Sequence, residues 1–181
     1  MRTLFRIAIA AAVIAVACFI GLGRTGLGPT VGDQGRAPEF GGIDQWLNSP
    51  PLTMESLRGK VVLIDFWTYS CGNCINTLPY LKQWHEKYKD QGLVIVGVHT
   101  PEFPFEKSTG NLKEALKRYD IRYPVAQDNG YAMWSAYRNQ YWPATYLIDA
   151  NGHIVYQHYG EGSYDETEAT IRKLLAERPH A

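Results

Sequence analysis

Cysteine is scarce: three residues of 181, too few for a disulfide scaffold. Cys71 and Cys74 stand three apart while Cys18 lies alone in an apolar N-terminus, an asymmetry that points to redox chemistry rather than stapling. Charge of one sign is missing too. Basic and acidic side chains number 18 each, and no Lys/Arg run forms the electrostatic footprint of a nucleic-acid binder, so nucleic acid drops out as a partner. From Ala37 onward there is no low-complexity segment and no repeat period. At 45% hydrophobic residues the chain is not a disordered one either.

What is present divides into three parts. In residues 1–23, Arg2 and Arg6 precede an uncharged run from Ile7 to Gly23 rich in Ala, Ile and Val, the make-up of a membrane anchor or signal segment. As a helix this run spans roughly 25 Å against a hydrocarbon core of roughly 30 Å, so length alone does not separate the two. Ala15-Val16-Ala17 is a small-residue cleavage pattern, and Cys18 behind it suits lipid attachment, except that Ala15 stands where such sites usually carry Leu. Phe19, Ile20 and Leu22 carry the apolar run past that point, which favours an uncleaved anchor over an exported soluble or lipid-anchored product. Each outcome keeps the arginines inside and places the remainder in the cell envelope, facing the periplasm or the extracellular side. Residues 24–36 read as a flexible glycine-rich linker with a reach of roughly 20 Å. Residues 37–181, with 14 basic and 17 acidic side chains and hence a net of 14 − 17 = −3, form the folded domain.

That domain alternates strand and helix. Lys60 to Phe66 and Leu93 to Val98 are short β-branched runs of the kind buried on both faces of a parallel sheet. Between them Leu78, Leu81, Trp84 and Tyr88 recur at helical spacing, giving a βαβ unit whose helix ends near Gly92. Asn111 to Tyr119 and Tyr131 to Tyr137 read as helices. Thr145 to Asp149 and His153 to His158 read as a hairpin turning on Asn151-Gly152. A last helix begins after Ser163, with acidic residues early and Arg172 and Lys173 late. The expected class is α/β, a sandwich with mixed strand directions.

The chemistry concentrates at Cys71-Gly72-Asn73-Cys74, between the first strand and its helix. A thiolate at a helix N-terminus faces unpaired N–H groups and the positive end of the dipole, so Cys71 is expected to ionise below the roughly 8.5 of a free thiol and act as nucleophile. Cys74, one turn on, can then resolve a mixed disulfide. Structural zinc wants four ligands; there is no second cysteine pair, and His153 and His158 would point to opposite faces of a strand. Covalent haem needs His after the second cysteine, where Ile75 stands. A permanent disulfide over so short a loop would stabilise little.

Asp65-Phe66-Trp67, then Cys71-x-x-Cys74, then Pro79 resemble the thioredoxin superfamily signature, in which a buried acid precedes the first cysteine by six residues and a proline follows the second by five. Trp142-Pro143-Ala144-Thr145 is similar to that superfamily's cis-proline segment. The Leu57-Arg58-Gly59-Lys60 stretch and the leading anchor look like membrane-tethered, TlpA-like redoxins. Asp-Phe-Trp-Thr-Tyr-Ser-Cys, with Val98 to Phe103 and Asn-Gln-Tyr-Trp-Pro-Ala-Thr, resembles the thioredoxin-like domain of DipZ-type proteins. The resemblance implies a thioredoxin-like three-layer sandwich with a mixed central sheet and a thiol:disulfide oxidoreductase with no cofactor or metal. Its partners would be oxidised client proteins outside the cytoplasm, apocytochromes or others, and a separate membrane electron donor of the CcdA/DsbD type. Tyr69-Ser70 replaces the usual Trp before the first cysteine, and Gly-Asn replaces Gly-Pro or Pro-Pro between the two, so the reducing direction is an expectation by analogy.

Roles follow. Asp65 is the expected proton acceptor for Cys74. Pro143, cis if the resemblance holds, would pair backbone with a client strand. Trp67, Tyr69 and Trp142 would form an apolar apron for client peptides. His99 and Glu102, at the edge where open α/β sheets place their sites, are candidate proton relays, and Pro79 would bend the helix. Two rivals stay open: a peroxiredoxin-like peroxide reductase, because Thr68-x-x-Cys71 matches the end of that pattern although Ile64 takes its proline position, and a copper-holding chaperone on the same scaffold.

Overall fold

The computed structural model describes residues 30–178. The apolar segment 1–23 and Cys18 lie outside the described residues, and among those described no helix is long and apolar enough to cross a membrane.

Among the described residues seven strands form one sheet. They are β1 (Thr30–Val31), β2 (Gln45–Leu47), β3 (Val61–Trp67), β4 (Leu93–His99), β5 (Val125–Gln127), β6 (Ala144–Ile148) and β7 (Ile154–Tyr159), in the order β1-β7-β6-β3-β4-β5-β2. β3, β4 and β5 run parallel, whereas β6, β7 and both edge strands pair antiparallel. Every residue of β3 is buried, as a central strand covered on both faces requires.

Four α-helices among the described residues complete the sandwich: α1 (Gly72–Tyr88), α2 (Thr109–Arg118), α3 (Ala132–Ala136) and α4 (Tyr164–Glu177). α1 buries Leu78, Leu81, Trp84 and Tyr88, runs unbroken through Pro79, and gives way to a 3₁₀ turn closed by Gly92 at φ +102°. These side chains share one core with Leu63 and Trp67 of β3, Leu112 and Leu116 of α2 and Ile171 of α4. Val62, Ile64 and Phe66 point the other way, into a core with Met133 of α3 and the segment from Ala37 to Leu57. Period-two alternation along β3 divides the cores. It also puts Asp65 on the face that α1 covers.

Three details depart from the sequence expectations. The stretch read as a linker reaches the sheet early: Thr30 and Val31 pair with Gln157 and Tyr156, and Arg36 bridges to His153. In the β6–β7 hairpin only Gly152 takes a positive φ, and Asp149 Oδ1 accepts the N–H groups of Asn151 and His153 at 2.9 Å. Ser163 sits at φ +49° and caps α4 through its carbonyl, which accepts the Thr167 N–H, not through its hydroxyl.

Candidate active site

β3 supplies an acid and α1 supplies two thiols. Past Trp67 the chain turns through Thr68 to Ser70 into α1, with Cys71 as its N-cap. There Cys71 Sγ accepts the Cys74 backbone N–H at 3.3 Å, satisfying one of the donors that every helix start leaves unpaired. The pKa of Cys71 falls to about 7. A hydrogen bond from the Cys74 thiol contributes most, backbone N–H groups of Cys74 and Asn73 add to it, and burial and the Glu102 carboxylate oppose. Cys74 is fully buried, and its own thiol is driven far upward, by burial first and then by its bond to Cys71 and the charges of Cys71 and Asp65. Two sulfurs one turn apart are thus a half-exposed nucleophile and a buried, protonated reserve. Both thiols are free.

Asp65 is fully buried, and neither carboxylate oxygen has a partner in hydrogen-bond geometry. Burial lifts its pKa to about 7, the Cys71 charge adds, and the Thr145 hydroxyl opposes. Its neighbour on β4 is Gly97, where a Cβ would come within 2.9 Å of Trp67 Nε1 and 3.2 Å of Tyr123 Cε2. Glycine there admits both rings beside the acid. On the other side Asp65 faces Thr145, which faces His158 of β7, so the three form one row across β3, β6 and β7.

The structure redistributes the other expected roles. The Trp142–Pro143 bond is cis, and the buried Pro143 offers its carbonyl to Gly160 N–H at 2.8 Å. Trp142 is half-buried, donates Nε1–H to the Thr100 carbonyl at 3.0 Å and lies over Trp134 with centroids 4.0 Å apart. Tyr69 is half-buried and donates its hydroxyl to the Phe105 carbonyl at 3.0 Å. Trp67 is no part of an apron. It is 0% exposed, because β3 still alternates there and turns the ring into the α1 core. His99 is also withdrawn: it packs edge-on to Trp67 and flat against Tyr69, 5.5 and 5.3 Å between centroids. Burial lowers its pKa to about 4 and keeps it neutral, out of a relay at neutral pH. Of the two relay candidates, Glu102 is the exposed one, and its charge reaches Cys71. Thr68, the residue behind the peroxide reading, is buried with its hydroxyl 3.3 Å from His99 Nε2.

Sequence reasoning missed Glu106. Its buried carboxylate accepts the Ser70 hydroxyl at 2.5 Å and the N–H groups of Glu102 and Phe103 at 2.6 and 2.9 Å. It thereby ties the loop after β4 to the residue before the nucleophile. The signal was there: Glu three residues after Phe103, with Pro104 at the first helical position, is capping-box spacing.

Comparison with known proteins agrees with this geometry. Over 144 residues, 78% of this chain, the sequence is 53% identical to protein DipZ of Mycobacterium bovis, of which the match spans only 21%. It is 35% identical over 141 residues to the thiol-disulfide oxidoreductase YkuV of Bacillus subtilis, covering 77% of this chain and 94% of that one. The solution structure of a thioredoxin-like protein in its oxidised form superposes with a TM-score of 0.72 at 33% identity, over 80% of this chain and 97% of the other. The Redoxin family description matches residues 30–175, and with the acid, the paired thiols and the cis-proline on one thioredoxin-like sheet, the chain belongs to the redoxin family.

Proposed function

We propose that this chain is a protein-disulfide oxidoreductase of the cell envelope that reduces client disulfides through Cys71-Gly-Asn-Cys74. The observation that carries the reading is the unequal pair: an accessible sulfur with a pKa of about 7 beside a fully buried one held protonated. The Cys71 thiolate attacks a client disulfide, forming a mixed disulfide and expelling one client sulfur as thiolate. With the Cys71 charge consumed, the Coulombic push on Asp65 is gone and its carboxylate ionises more readily. Asp65 then takes the Cys74 proton, Cys74 attacks Cys71, and the second client sulfur leaves. Two electrons pass to the client, whose two departing thiolates take up one proton from solvent and the one that Asp65 received from Cys74, and the Cys71–Cys74 disulfide remains. A reduced dithiol protein in the membrane, of the CcdA/DsbD type, would restore the pair.

The modest acidification of Cys71 favours the reducing direction. A site that stabilises its thiolate only slightly makes its reduced form a better donor than one that stabilises it strongly. The envelope location rests on Arg2 and Arg6 preceding an apolar run, with residues 1–23 as the anchor. Cys74→Ser is expected to accumulate mixed disulfides through Cys71 with envelope proteins, seen as thiol-reversible bands and identified by mass spectrometry. A variant that traps nothing under exchange conditions would sink the reading.

A further inference from the structure

Phe103 and Phe105 follow β4 and are 46% and 53% exposed, an unusual state for two phenylalanines so close together. Their rings are parallel, 3° apart in plane with centroids 5.7 Å apart, and Phe105 lies 6.2 Å from the Tyr69 ring, two residues before the nucleophile. The loop carrying them is fixed rather than loose. Glu106 holds its start and Ser70 together, Tyr69 and Asn111 side chains both donate to the Phe105 carbonyl at 3.0 and 3.1 Å, and Trp142 donates to the Thr100 carbonyl. An exposed aromatic pair on a rigid support marks a contact surface that costs little to order on binding.

A client sulfur must reach Cys71, so the residues beside a client's cystine have to lie on the surface next to it, and Tyr69, Phe105 and Phe103 extend that surface outward as one apolar ledge. Charge narrows the occupant further. Glu102 is exposed within reach of Cys71, and Glu161 is exposed where Asn76 of α1 bonds it at 3.0 Å. The charged groups seen to act on the nucleophile are carboxylates, Glu102 and Asp65.

We propose that Phe103 and Phe105 dock the segment flanking an oxidised client's cystine, selecting a bulky apolar side chain there and, through Glu102, a basic residue beside it. The inference rests on the exchange reading of Cys71 and Cys74 and names the substrate class for that site.

The test uses the reduced full chain in detergent and four cystine peptides that carry Leu or Ser, and Lys or Glu, at the two positions beside the cystine. Each turnover converts one peptide disulfide to two thiols and the Cys71/Cys74 pair to its disulfide. Single-turnover rates are expected to favour Leu over Ser by about tenfold and Lys over Glu several-fold. Phe103→Ser/Phe105→Ser brings the first ratio to within about twofold and keeps the second; Glu102→Gln does the reverse. A first ratio that survives the double substitution, or one near unity in the unsubstituted chain, overturns the ledge. So does phenylalanine-dependent dimerisation in sedimentation, or phenylalanine-dependent binding to anionic vesicles, with peptide ratios unmoved: the occupant is then a second copy or the bilayer. Reaction with all four peptides at one rate defeats the ledge alone, whereas reaction with none defeats the exchange reading beneath it.

Discussion

The two ends of β3 are built to opposite rules. Val61, Val62, Leu63 and Ile64 are apolar, at most 1% exposed, and sealed between the two cores. Asp65 breaks that pattern: Phe66 and Trp67 still fill the two cores, but Asp65, Thr68, His99 and Thr100 are buried polar side chains at the end where the chain enters α1. Burying an ionisable group with no partner costs stability, and perturbed groups gather where chemistry is done. A single reactive acid is set toward one end of an otherwise apolar seven-residue strand.

The apolar end offers the largest effect. Leu63 is fully buried in the core that also holds Cys74 and α1. Leu63→Ala should cost about 2–5 kcal/mol in denaturant unfolding. The pH profile of Cys71 alkylation in the remaining folded protein should stay centred near 7. A shifted profile would show that the two ends are coupled.

Asp65→Asn attacks the polar end. A carboxyl whose folded pKa is raised from 3.8 to about 7 binds a proton in the folded chain that the unfolded chain has lost, so its contribution to stability falls as pH rises through that window. At one pKa unit per 1.36 kcal/mol the loss is about 4 kcal/mol by pH 8. His99, lowered to about 4, works with the opposite sign between pH 4 and 6.5 and cancels when parent and variant are compared at each pH. Relative to Asp65→Asn, the parent should therefore lose stability between pH 4 and 8. The same variant should slow resolution of the trapped client about a hundredfold at neutral pH, because Cys74 has lost its base. A parallel pH dependence of the two proteins, or unchanged resolution, would remove Asp65 from the proton path.

This division also governs how much the sequence revealed. β3, β4 and α1 were legible because their apolar periods run long enough to be distinctive, and Cys71, Cys74 and Asp65 because a strand followed by a helix fixes where each must stand. β1, β2 and β5 have two or three residues each, too few to repeat a period, and exist only through their neighbours. The row Asp65, Thr145, His158 depends on register across three strands, and no single segment encodes it. Trp67 and Tyr69 are two apart and look alike in composition, but one faces the core and the other follows the strand's last residue. Glu106 escaped because its carboxylate serves backbone groups of a loop that has no periodicity.

The smallest effect sharpens the comparison most. Glu102 stands outside both cores on the exposed surface, and its carboxylate opposes ionisation of Cys71. Glu102→Gln removes that opposition, so the midpoint for Cys71 alkylation should move below about 7 while the unfolding midpoint stays in place. Because Glu102 is exposed, its influence should fade as ionic strength approaches about 1 M, where the screening length is about 3 Å. The effect of Asp65→Asn, acting inside the protein, should persist at that salt. If instead both variants respond alike, the polar end of β3 is open to solvent and its acid is not the sequestered group that its burial implies.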